Sequence, residues 1–148
     1  MLLSKKLLAA SVRPAVTADV VGVVDHEVAS KGGLSGRALK AAYGAVNKVM
    51  PNASERSVAR LLPDALRSLD PFWTAFVSSG DADFGRYLAA QGDEPVQALL
   101  AVSDAKVAAT SREVIKKAYK PLRNKAGDHV RAALPALGHA LQQRAEAT

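Results

Sequence analysis

Residues 52–69 read NASERSVARLLPDALRSL, and this stretch decides the fold. Val58, Leu61, Leu62, Ala65, Leu66 and Leu69 recur at i, i+3, i+4, i+7, i+8 and i+11, which places them on one face of an α-helix. Arg56, Arg60 and Arg67 fall on the opposite face, because steps of four and seven residues at about 100° each return near the starting angle. Asn52 and Glu55 supply an N-cap and an acid three residues further on, a capping-box-like start. Pro63 conflicts with a straight helix at a cost of about 3 kcal/mol. Burying six apolar side chains offsets this with roughly 10 kcal/mol gross, so one helix bent at 61–63 is expected.

Upstream, Leu39, Ala42, Tyr43, Val46, Val49 and Met50 share a helical face, with Arg37, Lys40, Gly44 and Lys48 opposite. Ser35 is the N-cap candidate, and Pro51 ends the helix. Because Asn52 opens the next helix at once, the two are expected to form an antiparallel hairpin with an apolar inside. Before them, Val16, Val20, Val23, Val24 and Val28 keep a helical spacing, and Asp19, Asp25 and Glu27 argue against a strand despite valine's β preference. Gly32-Gly33 is the expected C-cap. Residues 4–10 suit a short helix, with 1–12 and 143–148 as loose ends.

Downstream, Asp70-Pro71 is a helix start signal for PFWTAFVSS, which ends at Gly80. Asp81 or Asp83 opens DFGRYLAAQ, and Asp93-Glu94-Pro95 opens VQALLAV. From there to Tyr119 one helix and two fit equally, since Ser103-Asp104 and Thr110 to Glu113 both resemble caps. Pro121 reads as a stop. Gly127-Asp128 reads as a separator before a last helix carrying Val130, Ala133, Leu134, Leu137 and Leu141, bent at Pro135. The expected architecture is an all-α single domain over residues 1–148, a bundle of about six to eight short-to-medium amphipathic helices.

Composition agrees. Apolar residues make up 49% and charged residues 23% of the 148, which are ordinary globular proportions. Ala and Leu favour helices and close helix packing. With no cysteine, disulfides, thiol nucleophiles and thiolate metal sites are excluded, which fits a cytoplasmic protein. The N-terminal apolar run is too short for a signal peptide, and no stretch is long enough for an integral membrane segment.

Catalytic chemistry finds little support. His26, His129 and His139 lack the i, i+3 or i, i+4 spacing of a two-histidine metal site. No GxSxG serine elbow occurs, and KGGLSGR lacks the order of a phosphate loop and a preceding strand. No enzyme, cofactor or metal is expected. The net charge of +6 instead draws attention to basic stripes: Arg56, Arg60 and Arg67; Arg37, Lys40 and Lys48; and Arg112, Lys116, Lys117, Lys120, Arg123 and Lys125. Such stripes can hold phosphates, yet without interleaved stacking aromatics a solvated helix face is the favoured reading. Phe72, Trp73, Phe76, Phe84 and Tyr87, five of the seven aromatics, could line an apolar pocket, although core packing is the commoner fate of such a group.

The segment ASKGGLSGRALKAAYGAVNKVMPN, continued by LLPDALRSLDPFW, resembles a family of small bacterial conserved proteins of unknown function. The similarity runs roughly from Lys6 to His139. It implies a helical domain and brings no catalytic residues with it. Good amphipathic helices without a convergent catalytic set point first to a non-enzymatic module that binds a protein partner or forms a homo-oligomer. Nucleic-acid binding through the basic faces is the second expectation, and apolar-ligand binding among the aromatics the third.

Overall fold

A computed structural model describes residues 1–30, 33–50 and 52–147. They form seven helices and no strand: α1 (Leu3–Leu7), α2 (Arg13–Ser30), α3 (Gly33–Val49), α4 (Ala53–Ser79), α5 (Phe84–Ala90), α6 (Asp93–Ala109) and α7 (Glu113–Glu146). Gly32 of the expected Gly32-Gly33 turn and the stop at Pro51 lie outside the described residues; Gly33 opens α3, so Ser35 falls inside that helix rather than at its N-cap. The all-α expectation holds, and α7 is the spine of the bundle, touched by α1, α2, α3, α5 and α6.

The main departures from expectation are at prolines. Helix α4 runs through Asp70-Pro71, and α7 runs through Pro121, Gly127-Asp128 and Pro135. Pro71, Pro121 and Pro135 are exposed, so the missing N–H and the ring lie on the solvent side while the opposite face carries the packing. On α4 that face continues past the proline as Leu66, Leu69, Trp73 and Phe76, each 6% exposed or less. The stabilisation from this face, about 1.5–3 kcal/mol per large side chain, exceeds the proline cost. Asp70 does not cap the segment that follows it. Its carboxylate instead accepts hydrogen bonds from the Ser4 amide at 2.8 Å and the Ser4 hydroxyl at 2.6 Å, 66 residues away. It thereby caps α1 from outside and holds it in the core, where Leu3 and Leu7 are fully buried. Among the described residues the segments expected to be loose ends are packed: Ala145 is also fully buried, and Lys6 donates to its carbonyl.

Other local signals resolve in different ways. Asn52 precedes α4 in a left-handed conformation and makes no side-chain cap hydrogen bond, so the expected capping box is absent. Asp83 does cap α5, accepting from the amides of Gly85 and Arg86. Gly80 ends α4 with φ +77°, a conformation that glycine adopts without penalty. The stretch from 93 to 119 is two helices, broken at 110–112, where the Thr110 hydroxyl accepts from the Arg112 amide. The expected α3–α4 hairpin does not form the main contact: α3 packs chiefly on α7 and only lightly on α4.

Helices α5 and α7 cross glycine on glycine. A Cβ on Gly138 of α7 would lie 2.5 Å from the Gly85 Cα of α5, and a Cβ on Gly85 would lie 2.1 Å from the Pro135 carbonyl oxygen. Above this crossing, Gln142 accepts from the Phe84 amide and donates to the Ala82 carbonyl, fixing the α5 entrance on α7.

A candidate ligand cavity between five helices

All six apolar residues of the 58–69 face line one cavity of about 330 Å³. Across from them stand Val20, Val23, Val24 and Val28 of α2, and Val130, Ala133, Leu137 and Leu141 of α7. Leu39 of α3 and Leu99 and Val102 of α6 complete the apolar wall. These are the faces that helical spacing assigns to the core, but along this seam they leave space between them. Valine and alanine explain the gap: a helix face of short side chains cannot reach across to its partner. No aromatic residue lines the space among the described residues.

The cavity is long. Its α4 lining from Val58 to Leu69 covers about 16 Å at 1.5 Å per residue, and its α7 lining from His129 to Leu141 covers about 18 Å. The polar lining residues are Glu27, Ser103 and His129. Ser103 shares a hydrogen bond with the Tyr119 hydroxyl at 2.8 Å and bonds the Leu100 carbonyl. Glu27 and His129 are each engaged within the protein. Sequence reasoning set both aside, since Glu27 belongs to a charged DHE triplet and His129 has no metal-like spacing. Their flanking apolar partners, Val28 and Val130, were the available signal.

The aromatic cluster packs as core, the commoner of its two expected fates, and not as a pocket. Trp73, Phe76 and Phe84 are buried with ring centroids 5.0–5.5 Å apart, and Tyr87 lies 5.6 Å from Phe76. Phe72 is partly buried against the same core. None of the five lines the cavity.

The basic residues lie mostly at the surface. Arg37, Lys40, Lys48, Arg56, Arg60, Arg112, Lys116, Lys117, Lys120 and Lys125 are exposed. Arg67 reaches Asp64 at 3.4 Å, and Lys106 reaches the same carboxylate at 3.3 Å. Arg123 is different: it forms a two-pronged pair with Asp104 at 2.8 and 3.0 Å, and Tyr119 donates to the same carboxylate at 2.5 Å. This clamp joins α6 to α7.

The clamp carries its own pH dependence. The Arg123 guanidinium first, and then the Tyr119 hydroxyl, hold the Asp104 carboxyl below its ordinary range. Burial first, and then the Asp104 bond, push the Tyr119 hydroxyl upward. A carboxylate with a depressed folded pKa stabilises the fold above its unfolded value, about 3.9, and loses that contribution as pH falls through the folded value. The tyrosine contribution is held below about pH 10 and is lost as pH rises past the raised folded value. Arg123→Ala is therefore expected to flatten the acid limb of the unfolding midpoint plotted against pH. Identical acid limbs in variant and parent would contradict this assignment.

A family model for DUF6918, a family of unknown function, matches residues 3–145. The chain belongs to that family. The match spans α1 to the last turn of α7, so the cavity of this DUF6918 chain lies wholly within the family's extent. No curated protein and no solved structure matches the chain. No helix among the described residues is long and apolar enough to cross a membrane.

Proposed function

We propose that this protein is a non-enzymatic binder of an elongated aliphatic molecule, held in the cavity between α2, α4 and α7. The size of the cavity carries this reading. Its lining is almost wholly apolar, with Glu27, Ser103 and His129 as the polar exceptions, and a concave, mostly apolar space of about 330 Å³ falls in the range of small-molecule sites.

Shape selects among hydrocarbons. A zigzag of carbon–carbon bonds near 1.5 Å advances about 1.25 Å per bond, so the 16 Å lining matches about twelve to fourteen carbons. At roughly 30 Å³ per small group, the share of one liquid water, the volume holds about eleven. The two figures agree on a medium-length alkyl chain.

The self-association reading has less support. The large hydrophobic side chains exposed among the described residues are Met1, Leu2 and Val77. Two of these sit at the chain start, and the third is on the solvent face of α4.

The test is calorimetric titration with dodecanol, alongside native mass spectrometry of the purified protein. Binding of one equivalent, or an extra mass that organic extraction removes, is the expected result. Ala65→Phe with Ala133→Phe should abolish binding while leaving the unfolding midpoint equal or higher, because the rings fill existing space. Ala133→Leu is the milder second variant, expected to weaken binding. No bound dodecanol and no retained mass would together overturn the proposal.

A further inference from the structure

This inference rests on the aliphatic tail lying in the cavity and concerns the group attached to it. Contacts along α7 give the cavity two distinct ends. Helix α6 runs antiparallel to α7, with Asp104 beside Arg123 and Asp93 beside Arg131. Ser103 therefore lies toward the N-terminal half of α7, beyond His129. Helix α2 meets the other half, since Asp19 pairs with Arg144 at 2.9 and 3.1 Å. Its C-terminal turn, with Glu27, points back toward His129. Ser103 and His129 thus stand toward the N-terminal half of α7, away from Leu141. The opposite end is formed by Leu66, Leu69 and Leu141, each 2% exposed or less.

Positive charge is concentrated around the polar end. Residues 112–125 carry Arg112, Lys116, Lys117, Lys120 and Lys125 against one acid, Glu113, with Arg123 neutralised by Asp104 of α6. Helix α3 carries Arg37, Lys40 and Lys48 and no acid. It lies at this end because the Tyr43 hydroxyl bonds Asp25, two residues before Glu27. The apolar end has no such excess: Asp19 neutralises Arg144, and the α4–α5 connection holds Asp81 and Asp83. Glu27 is the one acidic group in the lining, and it is engaged within the protein.

The geometry points to a single-chain anionic amphiphile, its tail against Leu66, Leu69 and Leu141 and its carboxylate or phosphate head at the Ser103 and His129 end, in the field of α3 and residues 112–125. The basic stripes then attract and orient the ligand, as charge around a low-dielectric cleft does.

Titration of dodecanoate, dodecyl phosphate and dodecanol at low ionic strength tests this. At least one anion is expected to bind about tenfold or more tightly than the alcohol. High salt should erase the difference by screening it. Lys116→Glu with Lys120→Glu should erase it too, whereas Arg13→Glu with Arg86→Glu, an equal change of net charge at other sites, should preserve it. Preference for the carboxylate identifies a fatty-acid-type head, and preference for the phosphate a lysophospholipid-type head; either supports the inference. Lys117→Glu with Lys125→Glu serves as a second pair should the first lower the unfolding midpoint. Dodecanol binding as tightly as both anions overturns the anionic head and leaves the cavity proposal intact. Failure of all three to bind overturns both.

Discussion

Gly138→Ala is expected to destabilise the protein by about 3 kcal/mol, at the upper end of what overpacking usually costs. The added methyl would sit 2.5 Å from Gly85 Cα and 2.6 Å from Gly85 N, and both obstacles are backbone. No rotamer change relieves such a clash; α5 must move off α7, and Phe84 beside it is fully buried. For a chain of this size a loss of this order lowers the thermal midpoint by roughly 6–12 °C. Two further alanine substitutions serve as controls. A Cβ at Gly127 meets only side-chain carbons at 3.8 and 3.9 Å, and one at Gly44 meets nothing within 4 Å. Both lie inside helices, so alanine there should stabilise by about 0.5–1 kcal/mol. Urea denaturation of the three variants gives the comparison, and a Gly138→Ala midpoint equal to that of the parent would mean that the α5–α7 crossing is not as close as described.

The second large effect is expected at Asp70. Asp70→Ala removes two short bonds to a charged acceptor and leaves the Ser4 amide and hydroxyl, at 6% exposure, without those partners. Hydrogen bonds to charged groups contribute about 1.5–3 kcal/mol each, and stranding a buried donor adds to the loss, so about 3 kcal/mol is expected in total. Ser4→Ala loses only the hydroxyl bond and should cost about half as much. The damage should begin locally, since α1 is a helix of five residues held in place by this bond and by Leu3 and Leu7. Limited trypsin digestion reads it directly: cleavage after Lys5 or Lys6 should accelerate in Asp70→Ala well before global unfolding. Unchanged cleavage would show that leucine burial alone holds α1.

The sequence is most legible where a single face settles the matter. The 58–69 spacing named six inward residues, and all six face the cavity. Aspartate capping was legible at Asp83, where nothing competes for the carboxylate. At Asp70 the same signal misled, because the carboxylate has a better donor in Ser4, a contact across 66 residues that no local pattern carries. Pro71 and Pro121 misled for a related reason. Local rules count the missing amide and the ring clash but not the buried face on the other side of the helix. The cavity was not legible as such. Periodicity shows which side chains point inward; whether facing surfaces meet depends on helix separation, and that is set at distant crossings such as Gly85 on Gly138. The short side chains at Ala65, Ala133 and the α2 valines were the one trace of it. The aromatic cluster drew attention as a pocket, yet bulky rings fill space and leave little of it.

The position of α7 as spine has a consequence for how the protein is made. Ribosomes deliver α1 to α6 before the 34 residues of α7. At about 5–20 residues per second, that helix takes several seconds to emerge. During this interval the α2 valines and the α4 leucines lack the surface that covers them, and Ser4 can already find Asp70 while Gly85 still has nothing to cross. Nascent chains stalled before residue 113 are therefore expected to recruit hold-type chaperones, and chains released after α7 is complete are not. Helix α7 acts less as an added layer than as the latch whose arrival covers the α2 and α4 faces.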